Sequence, residues 1–276
     1  MNAPIQTIET AGLSMDYFCF GCGDKPLVIL PGLSVDSIMK YADRIEQAYD
    51  SFTGDYTVYV FDKRKNPPGI YPVRDMAQDT AAAVRALGLE HVFLFGASLG
   101  GMLALTIASE QSDLVRGMIL GSTTAVIEPE RYQQVFDPWI QLAKTGNAEE
   151  LYLAFSGAIY PQTVFETARK TIRALAAEVT GEDIRRFIIL AEGLKGFNVL
   201  DRLQAITCPV LILGVKDDNV LGPEASVRIY EGLKGQTHCE LYLYDGYGHA
   251  AYDLAPDYKE RMLQFLSCHG NHSAST

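Results

Sequence analysis

The sequence predicts an α/β protein in which helices flank a mostly parallel sheet. Three observations predict this class: short apolar runs rich in β-branched and aromatic residues, amphipathic helical stretches, and the regular alternation of the two along the chain. Strands that are apolar at nearly every position are typical of sheets buried on both faces. Alternating strands and helices are typical of parallel βαβ units.

Six apolar runs are predicted as the strands of this sheet. They are LVIL (27–30), TVYVF (57–61), HVFLF (91–95), GMIL (117–120), PVLIL (209–213) and ELYLY (240–244). The earlier segment 14–25 is predicted to enter the sheet as an antiparallel hairpin.

Helices are predicted between these strands. Their amphipathic stretches cover 37–49, 75–88, 100–111, 224–233 and 257–266. The alternation stops between Ser122 and about Leu200, where several helices are broken by proline and glycine. We therefore expect a core made of 1–122 and 201–268, with a helical lid inserted at 123–200 that lies over the sheet.

The small polar tail, 269–276, is expected to be disordered. Five scattered cysteines and the lack of a secretory leader or a long apolar run predict a cytoplasmic protein without a membrane span. A net charge of −11 disfavours a nucleic-acid partner. The pair Cys19 and Cys22 has no second pair, so we expect no metal site and no cofactor.

Ser98 is the candidate nucleophile. It lies in GASLGG (96–101), where Gly96 and Gly100 complete a GxSxG pattern between a predicted strand and a predicted helix. Such a strand–turn–helix elbow needs small residues, because the flanking backbone approaches closely, and it exposes the serine hydroxyl at the carboxyl end of the sheet. A serine hydroxyl is a weak nucleophile and requires a base.

His249 is the candidate base, because it lies in a glycine-rich loop directly after the last predicted strand. The acid that would orient it is sought in the loop VKDDNV (215–220). Asp217 and Asp218 are both candidates, since either lies just past the end of a predicted strand.

Three segments, GASLGG (96–101), GVKDDNV (214–220) and GYGHAAYDLAPDYKERMLQFL (246–266), together resemble the α/β-hydrolase superfamily, specifically its lidded, serine esterase-like branch. The order serine, acid, histidine agrees with that family. The resemblance also implies that Asp217 is the acid, because the family places its carboxylate about three residues after the glycine that closes the strand, here Gly214. The resemblance covers nearly the whole chain and implies the α/β-hydrolase fold, with the inserted helices as its variable cap domain.

The resemblance also implies an oxyanion hole formed by the backbone amides of Leu33 and Leu99. The chain departs from the family in two places. It has Pro31-Gly32 where many members have His-Gly, and FDKRKNPPGIYP (61–72) where relatives commonly have an Arg-Gly-x-Gly-x-Ser turn. Pro31 cannot make the contacts of the histidine that other members have at this position. The different segment 61–72 changes the loop shape and with it part of the pocket wall.

These residues predict a hydrolase that acts by acyl transfer through Ser98, His249 and Asp217 on a small-molecule carboxylic ester. The same triad supports lactone opening, thioester cleavage, carbon–carbon bond hydrolysis and perhydrolysis, and these alternatives stay open. A serine nucleophile disfavours dehalogenase and epoxide hydrolase chemistry. Two non-enzymatic alternatives also remain: a sensor of a small ligand, and an interaction protein that forms a homodimer through exposed lid aromatics such as Trp139.

Overall fold

The computed structural model describes residues 3–10, 12–235 and 237–270. Its eight strands form one sheet in the order β1-β2-β4-β3-β5-β6-β7-β8. Their bounds are β1 Gln6–Thr10, β2 Leu13–Phe20, β3 Lys25–Leu30, β4 Tyr56–Phe61, β5 Val92–Ala97, β6 Val115–Gly121, β7 Val210–Val215 and β8 Cys239–Tyr244. Strands β3 to β8 pair in parallel, which confirms the prediction of a mostly parallel sheet.

The antiparallel part of the sheet differs from the prediction. The hairpin joins β1 to β2 around Gly12, and β2 then pairs antiparallel with β4. Segment 14–25 therefore contains β2 and the beginning of β3, which are not neighbours in the sheet. The prediction of a hairpin within 14–25 was wrong because the turn at Gly23 directs the chain past β4, where any side chain on that glycine would overlap the Asp55 backbone.

Eleven α-helical segments lie among the described residues. They are α1 Ala42–Ala48, α2 Val73–Ala86, α3 Leu99–Glu110, α4 Pro129–Arg131, α5 Asp137–Lys144, α6 Ala148–Ile159, α7 Gln162–Ala176, α8 Gly181–Glu192, α9 Ala225–Leu233, α10 Ala251–Leu254 and α11 Tyr258–Gly270. A π-helical stretch, Tyr132–Phe136, joins α4 to α5. None of the helices in the described ranges is both long and apolar enough to cross a membrane.

The core lies on both faces of the sheet because alternate side chains of each strand point to opposite faces. In β3, Leu27 and Ile29 pack with the cluster under α1 and α11, whereas Val28 and Leu30 pack with the cluster under α2, α3 and α9. Parallel strands buried in this way bring all their carboxyl ends to one edge, where the loops after β3, β5, β7 and β8 meet.

Helices α4 to α8 lie between β6 and β7, within the segment predicted to be the lid. The division of the chain at 122/123 and 200/201 stays a prediction. The predicted disordered tail overlaps the structure at His269 and Gly270, which belong to α11. That part of the prediction was wrong because Arg116 binds the carbonyl groups of both residues, and 271–276 lie outside the described residues.

Candidate active site

Ser98 occupies a sharp turn between β5 and α3. Its backbone has φ 52° and ψ −119°, which is unusual for a residue with a side chain. The turn is fixed on both sides, because the Ser98 amide donates to the Gly121 carbonyl at 2.9 Å and the Ser98 carbonyl accepts from the Thr123 hydroxyl at 2.6 Å. The side chain is thus held, half-buried, at the carboxyl edge of the sheet.

The two elbow glycines are required by backbone contacts. A side chain on Gly96 would overlap the Gly100 carbonyl, and one on Gly100 would overlap the Leu30 carbonyl. Both neighbours are backbone atoms that belong to regular elements, so neither can move aside. Close packing of α3 against β3 therefore accounts for the glycine spacing around Ser98.

His249 lies in a short 3₁₀ turn, Gly248–Ala250, after β8 and is 1% exposed. Its Nδ1 is 2.9 and 3.0 Å from the two carboxylate oxygens of Asp218. An imidazole that donates its Nδ1–H to a carboxylate keeps Nε2 as the basic nitrogen. His249 is thus oriented as a general base would be.

Asp217, the preferred acid of the sequence analysis, does not contact His249. The structure corrects this assignment: the Asp217 carboxylate accepts from the backbone amides of Gly246 and Gly248, at 3.1 and 3.0 Å. The reason is that β7 continues through Val215, one residue beyond the glycine used as its end, so the next residue along, Asp218, faces the imidazole. Asp217 instead holds the backbone of the histidine loop.

Asp218 is 5% exposed, and its environment favours the carboxylate form. Burial alone would raise its pKa. The His249 imidazole and the backbone amides of Leu221 and Val220 outweigh burial and hold the pKa of Asp218 below its usual value. The charged form needed to stabilise an imidazolium is therefore available at neutral pH.

A small pocket brings Gly32, Leu33, Ser98, Leu99 and His249 together. About 20 Å³ of it is open to the centre of a water molecule. Leu99 is the first residue of α3, where backbone amides have no acceptor within the helix and the helix dipole favours negative charge. The predicted oxyanion donors, Leu33 and Leu99, thus flank the candidate nucleophile.

The remaining walls of the pocket are apolar. They comprise Met102, Phe136, Trp139, Phe155, Ile159, Leu194, Val220 and Tyr252. Trp139 is 5% exposed and packs on Phe136 and Phe155, so it is not an exposed aromatic that would favour a dimer through the lid. Among the described residues, no lysine, arginine, aspartate or glutamate lines this pocket.

Helices α6 and α8 are joined to the loops after β3 and β4 by polar contacts that the sequence did not reveal. Tyr152 of α6 donates to Asp36 at 2.7 Å, and Arg186 of α8 binds Asp62 at 2.5 Å. Asp62 and Lys63 lie in the segment noted above as a departure from the family, and both are buried. Only the tertiary structure shows what they contact, because the residues that their side chains contact in other segments are 25 to 124 positions away.

One group of side chains in the described ranges has the composition of a metal site. The ligand atoms of His238, Glu240 and His269 lie within 4.8 Å of one another. Two of the three are exposed, and the His238 ring already bonds the Glu240 carboxylate at 2.7 Å. None of them lines the pocket of Ser98.

Comparison with known proteins identifies the family. The family model described as "Serine aminopeptidase, S33" matches residues 38–253. The chain belongs to this family of hydrolases. A relative from Agrobacterium fabrum, "Putative carbamate hydrolase RutD", is 30% identical over 197 residues, which cover 69% of this chain and 73% of the relative.

Solved structures agree with this S33-family hydrolase in fold. An α/β hydrolase from a Medee basin deep-sea metagenome library, MGS-M2, superposes with a TM-score of 0.83 at 20% identity and covers 98% of this chain and 99% of its own. The enol-lactonase of Burkholderia xenovorans LB400 gives 0.81 at 16% identity, over 95% of this chain and all of its own. The predictions of an α/β-hydrolase fold and of a hydrolase are confirmed.

Proposed function

We propose that this hydrolase transfers the acyl group of a small, neutral carboxylic ester or related carbonyl compound to water through Ser98, His249 and Asp218. The observation that carries the proposal is the placement of the imidazole: its Nδ1 is held by a buried carboxylate, and its ring lines the same pocket as the elbow serine. These are the parts that nucleophilic catalysis by serine requires.

In the proposed first step, His249 Nε2 accepts the proton of Ser98 as Oγ attacks the carbonyl carbon. The Asp218 carboxylate stabilises the imidazolium that forms. The backbone amides of Leu33 and Leu99 donate to the developing oxyanion, and each such donor contributes about 3 kcal/mol in comparable sites. The imidazolium then protonates the leaving group, and water, deprotonated by the same histidine, releases the acyl group from Ser98.

The walls of the pocket support a small and neutral acyl group. The cavity is narrow, and in the part of the chain that the structure describes its aromatic and aliphatic lining includes no lysine or arginine that would pair with a carboxylate and no aspartate or glutamate that would pair with an α-amino group. Short-chain esters fit these walls better than charged substrates or peptides do. This geometry does not favour the hypothesis of a non-enzymatic sensor of a small ligand, because binding alone does not require an imidazole that is oriented by a carboxylate.

A second candidate substrate is a carbamate, whose carbamoyl group would be transferred to Ser98 and then to water in the same way as an acyl group. The similarity to proteins named putative carbamate hydrolase, the first at 30% identity, favours it. A carbamate differs from an ester only in the nitrogen beside the carbonyl carbon. The lining of the pocket is largely apolar, which favours the ester.

A hydrolysis panel tests the proposal. Aryl acetate, butyrate and octanoate, an aryl carbamate, a lactone and a thioester are compared in wild-type protein and Ser98→Ala. We expect turnover of short esters, a loss of at least about 10⁴-fold in Ser98→Ala, and decreasing kcat/KM with chain length. Turnover that persists in Ser98→Ala would refute the role of Ser98, and turnover of the carbamate alone would replace the ester by the second candidate.

A further inference from the structure

A buried lysine lies directly behind the proposed oxyanion loop. Lys63 follows β4 and is 5% exposed. Its Nζ donates to the carbonyl oxygens of Pro31 and Gly32, at 2.5 and 2.7 Å. The two departures noted in the sequence, Pro31-Gly32 and the segment 61–72, therefore meet in one contact.

We propose that Lys63 is a positioning residue that fixes the Gly32–Leu33 peptide so that the Leu33 amide points at the oxyanion formed on Ser98. This inference rests on the proposed acyl-transfer function. Lys63 does not line the pocket and touches no reacting atom, so its effect acts through the loop.

The geometry of a peptide unit carries the first step. In a trans peptide the carbonyl and the following N–H point in opposite directions, and the described residues contain no cis peptide bond. Because Lys63 holds the Gly32 carbonyl on its own side, the Leu33 N–H is directed to the other side. Ser98 lies close by, since a side chain on Gly32 would come within 3.2 Å of Ser98 Cβ and 3.8 Å of Oγ.

Asp62 binds both Lys63 and the chain that follows the oxyanion loop. Its Oδ1 accepts from the Lys63 backbone amide at 2.7 Å and from the Arg186 guanidinium, and its Oδ2 accepts from the Ser37 hydroxyl at 2.6 Å. Ser37 lies just past the loop, so Lys63 holds the loop at 31–32 and Asp62 holds the chain at its far end. Arg186 adds the lid to the same network.

The free-energy cost of burying the Lys63 ammonium group also indicates a specific role. Burial lowers the pKa of Lys63 to about 7, while Asp62 raises it and Arg186 lowers it further. A buried lysine is disfavoured by desolvation, and a methionine would fill the same space without that penalty. Two carbonyls need two N–H donors, which the ammonium and the neutral amine both supply, so the contact does not depend on the charge.

Lys63→Met tests the inference, with Lys65→Met as the matched control. Lys65 lies two residues away, is 46% exposed and pairs with Asp16 on the surface, so Lys65→Met makes the same side-chain change without touching the loop. Rates of aryl acetate hydrolysis are divided by the concentration of protein that a fluorophosphonate labels at completion, so that misfolded molecules do not count.

We expect kcat per labelled site to fall roughly 30- to 300-fold in Lys63→Met with KM changed less than threefold, because a displaced oxyanion donor acts on the transition state. Lys65→Met should stay within twofold of wild type. If Lys63→Met gives no folded protein, Lys63→Gln, whose shorter amide cannot reach both carbonyls, should lose 5- to 50-fold in kcat per labelled site.

An unchanged kcat per labelled site in the folded variant, or a KM that rises while kcat stays, would overturn the role of Lys63. The proposed function fails in a different way. If wild-type protein is not labelled by the fluorophosphonate, the nucleophile itself is wrong, whereas labelled protein with an unaffected Lys63 variant refutes the positioning role alone.

Discussion

Replacing Asp218 with asparagine should abolish most of the activity while leaving the fold intact. In the wild-type protein, the imidazole Nδ1 of His249 faces two carboxylate oxygens, at 2.9 and 3.0 Å, and both side chains are almost fully buried. In Asp218→Asn, one amide oxygen can still accept from the backbone amides of Val220 and Leu221, which Asp218 Oδ1 accepts at 2.8 and 3.0 Å. The amide nitrogen then takes the place of Oδ2, the carboxylate oxygen nearer to His249 Nδ1.

A donor facing Nδ1 favours the imidazole tautomer that carries its proton on Nε2, where Ser98 needs an acceptor. The comparable change in serine proteases lowers kcat by about 10⁴, which corresponds to about 5.5 kcal/mol of transition-state stabilisation. Because the backbone hydrogen bonds are kept, the free energy of unfolding should change by less than about 1.5 kcal/mol.

Asp217→Asn is the matched control for this substitution. It removes the same charge from the neighbouring residue, and its amide oxygen can still accept from Gly246 or Gly248. We expect kcat within about tenfold of wild type. The assay is initial-rate hydrolysis of an aryl acetate, with a melting curve for each variant. A larger loss in Asp217→Asn than in Asp218→Asn would refute the assignment of the acid.

Three further outcomes follow from the packing and from the buried lysine. Gly100→Ala should lower the free energy of unfolding by about 3 kcal/mol, because its methyl group would overlap the Leu30 carbonyl. Gly54 lies in open space, so Gly54→Ala should change the free energy of unfolding by less than about 0.5 kcal/mol. Equal melting curves for the two variants would contradict the packing at the elbow. Trp139→Ala should widen the pocket and raise the hexanoate-to-acetate ratio of kcat/KM at least about fivefold, while it lowers the free energy of unfolding by about 3 kcal/mol; an unchanged ratio would place the acyl group elsewhere. Folding lowers the pKa of Lys63 from 10.5 to about 7, so the unfolded chain binds more protons than the folded chain between these pH values. The free energy of unfolding of the wild-type protein should therefore rise by about 2.5 kcal/mol from pH 7.5 to 9.5 relative to that of Lys63→Met. Denaturant titrations in which the free energies of unfolding of both proteins change equally with pH would contradict this.

The sheet and the outer helices were accessible from the sequence because each apolar run and each amphipathic stretch is a local pattern. The run 209–213 became β7 and the stretch 75–88 became most of α2, with shifts of one or two residues at the ends. Ser98 and His249 were found for the same reason, since a glycine-rich elbow and a glycine-rich loop after a strand are local signals.

The acid could not be chosen in this way. Asp217 and Asp218 are chemically identical neighbours, and which of them faces His249 depends on where β7 ends. The contact of Lys63 with the oxyanion loop could not be predicted from the sequence for a different reason. Its role is set by two carbonyls about 30 residues earlier in the chain, and carbonyl groups have no sequence signature.

The most direct test of the central claim is to locate the covalent adduct of a fluorophosphonate on the protein. Intact mass spectrometry should show one adduct on the wild-type chain, and peptide mapping should place it on Ser98, with none on Ser98→Ala and much slower labelling in Asp218→Asn. An adduct on another residue, or none on folded wild-type protein, would contradict the assignment of Ser98 as the nucleophile.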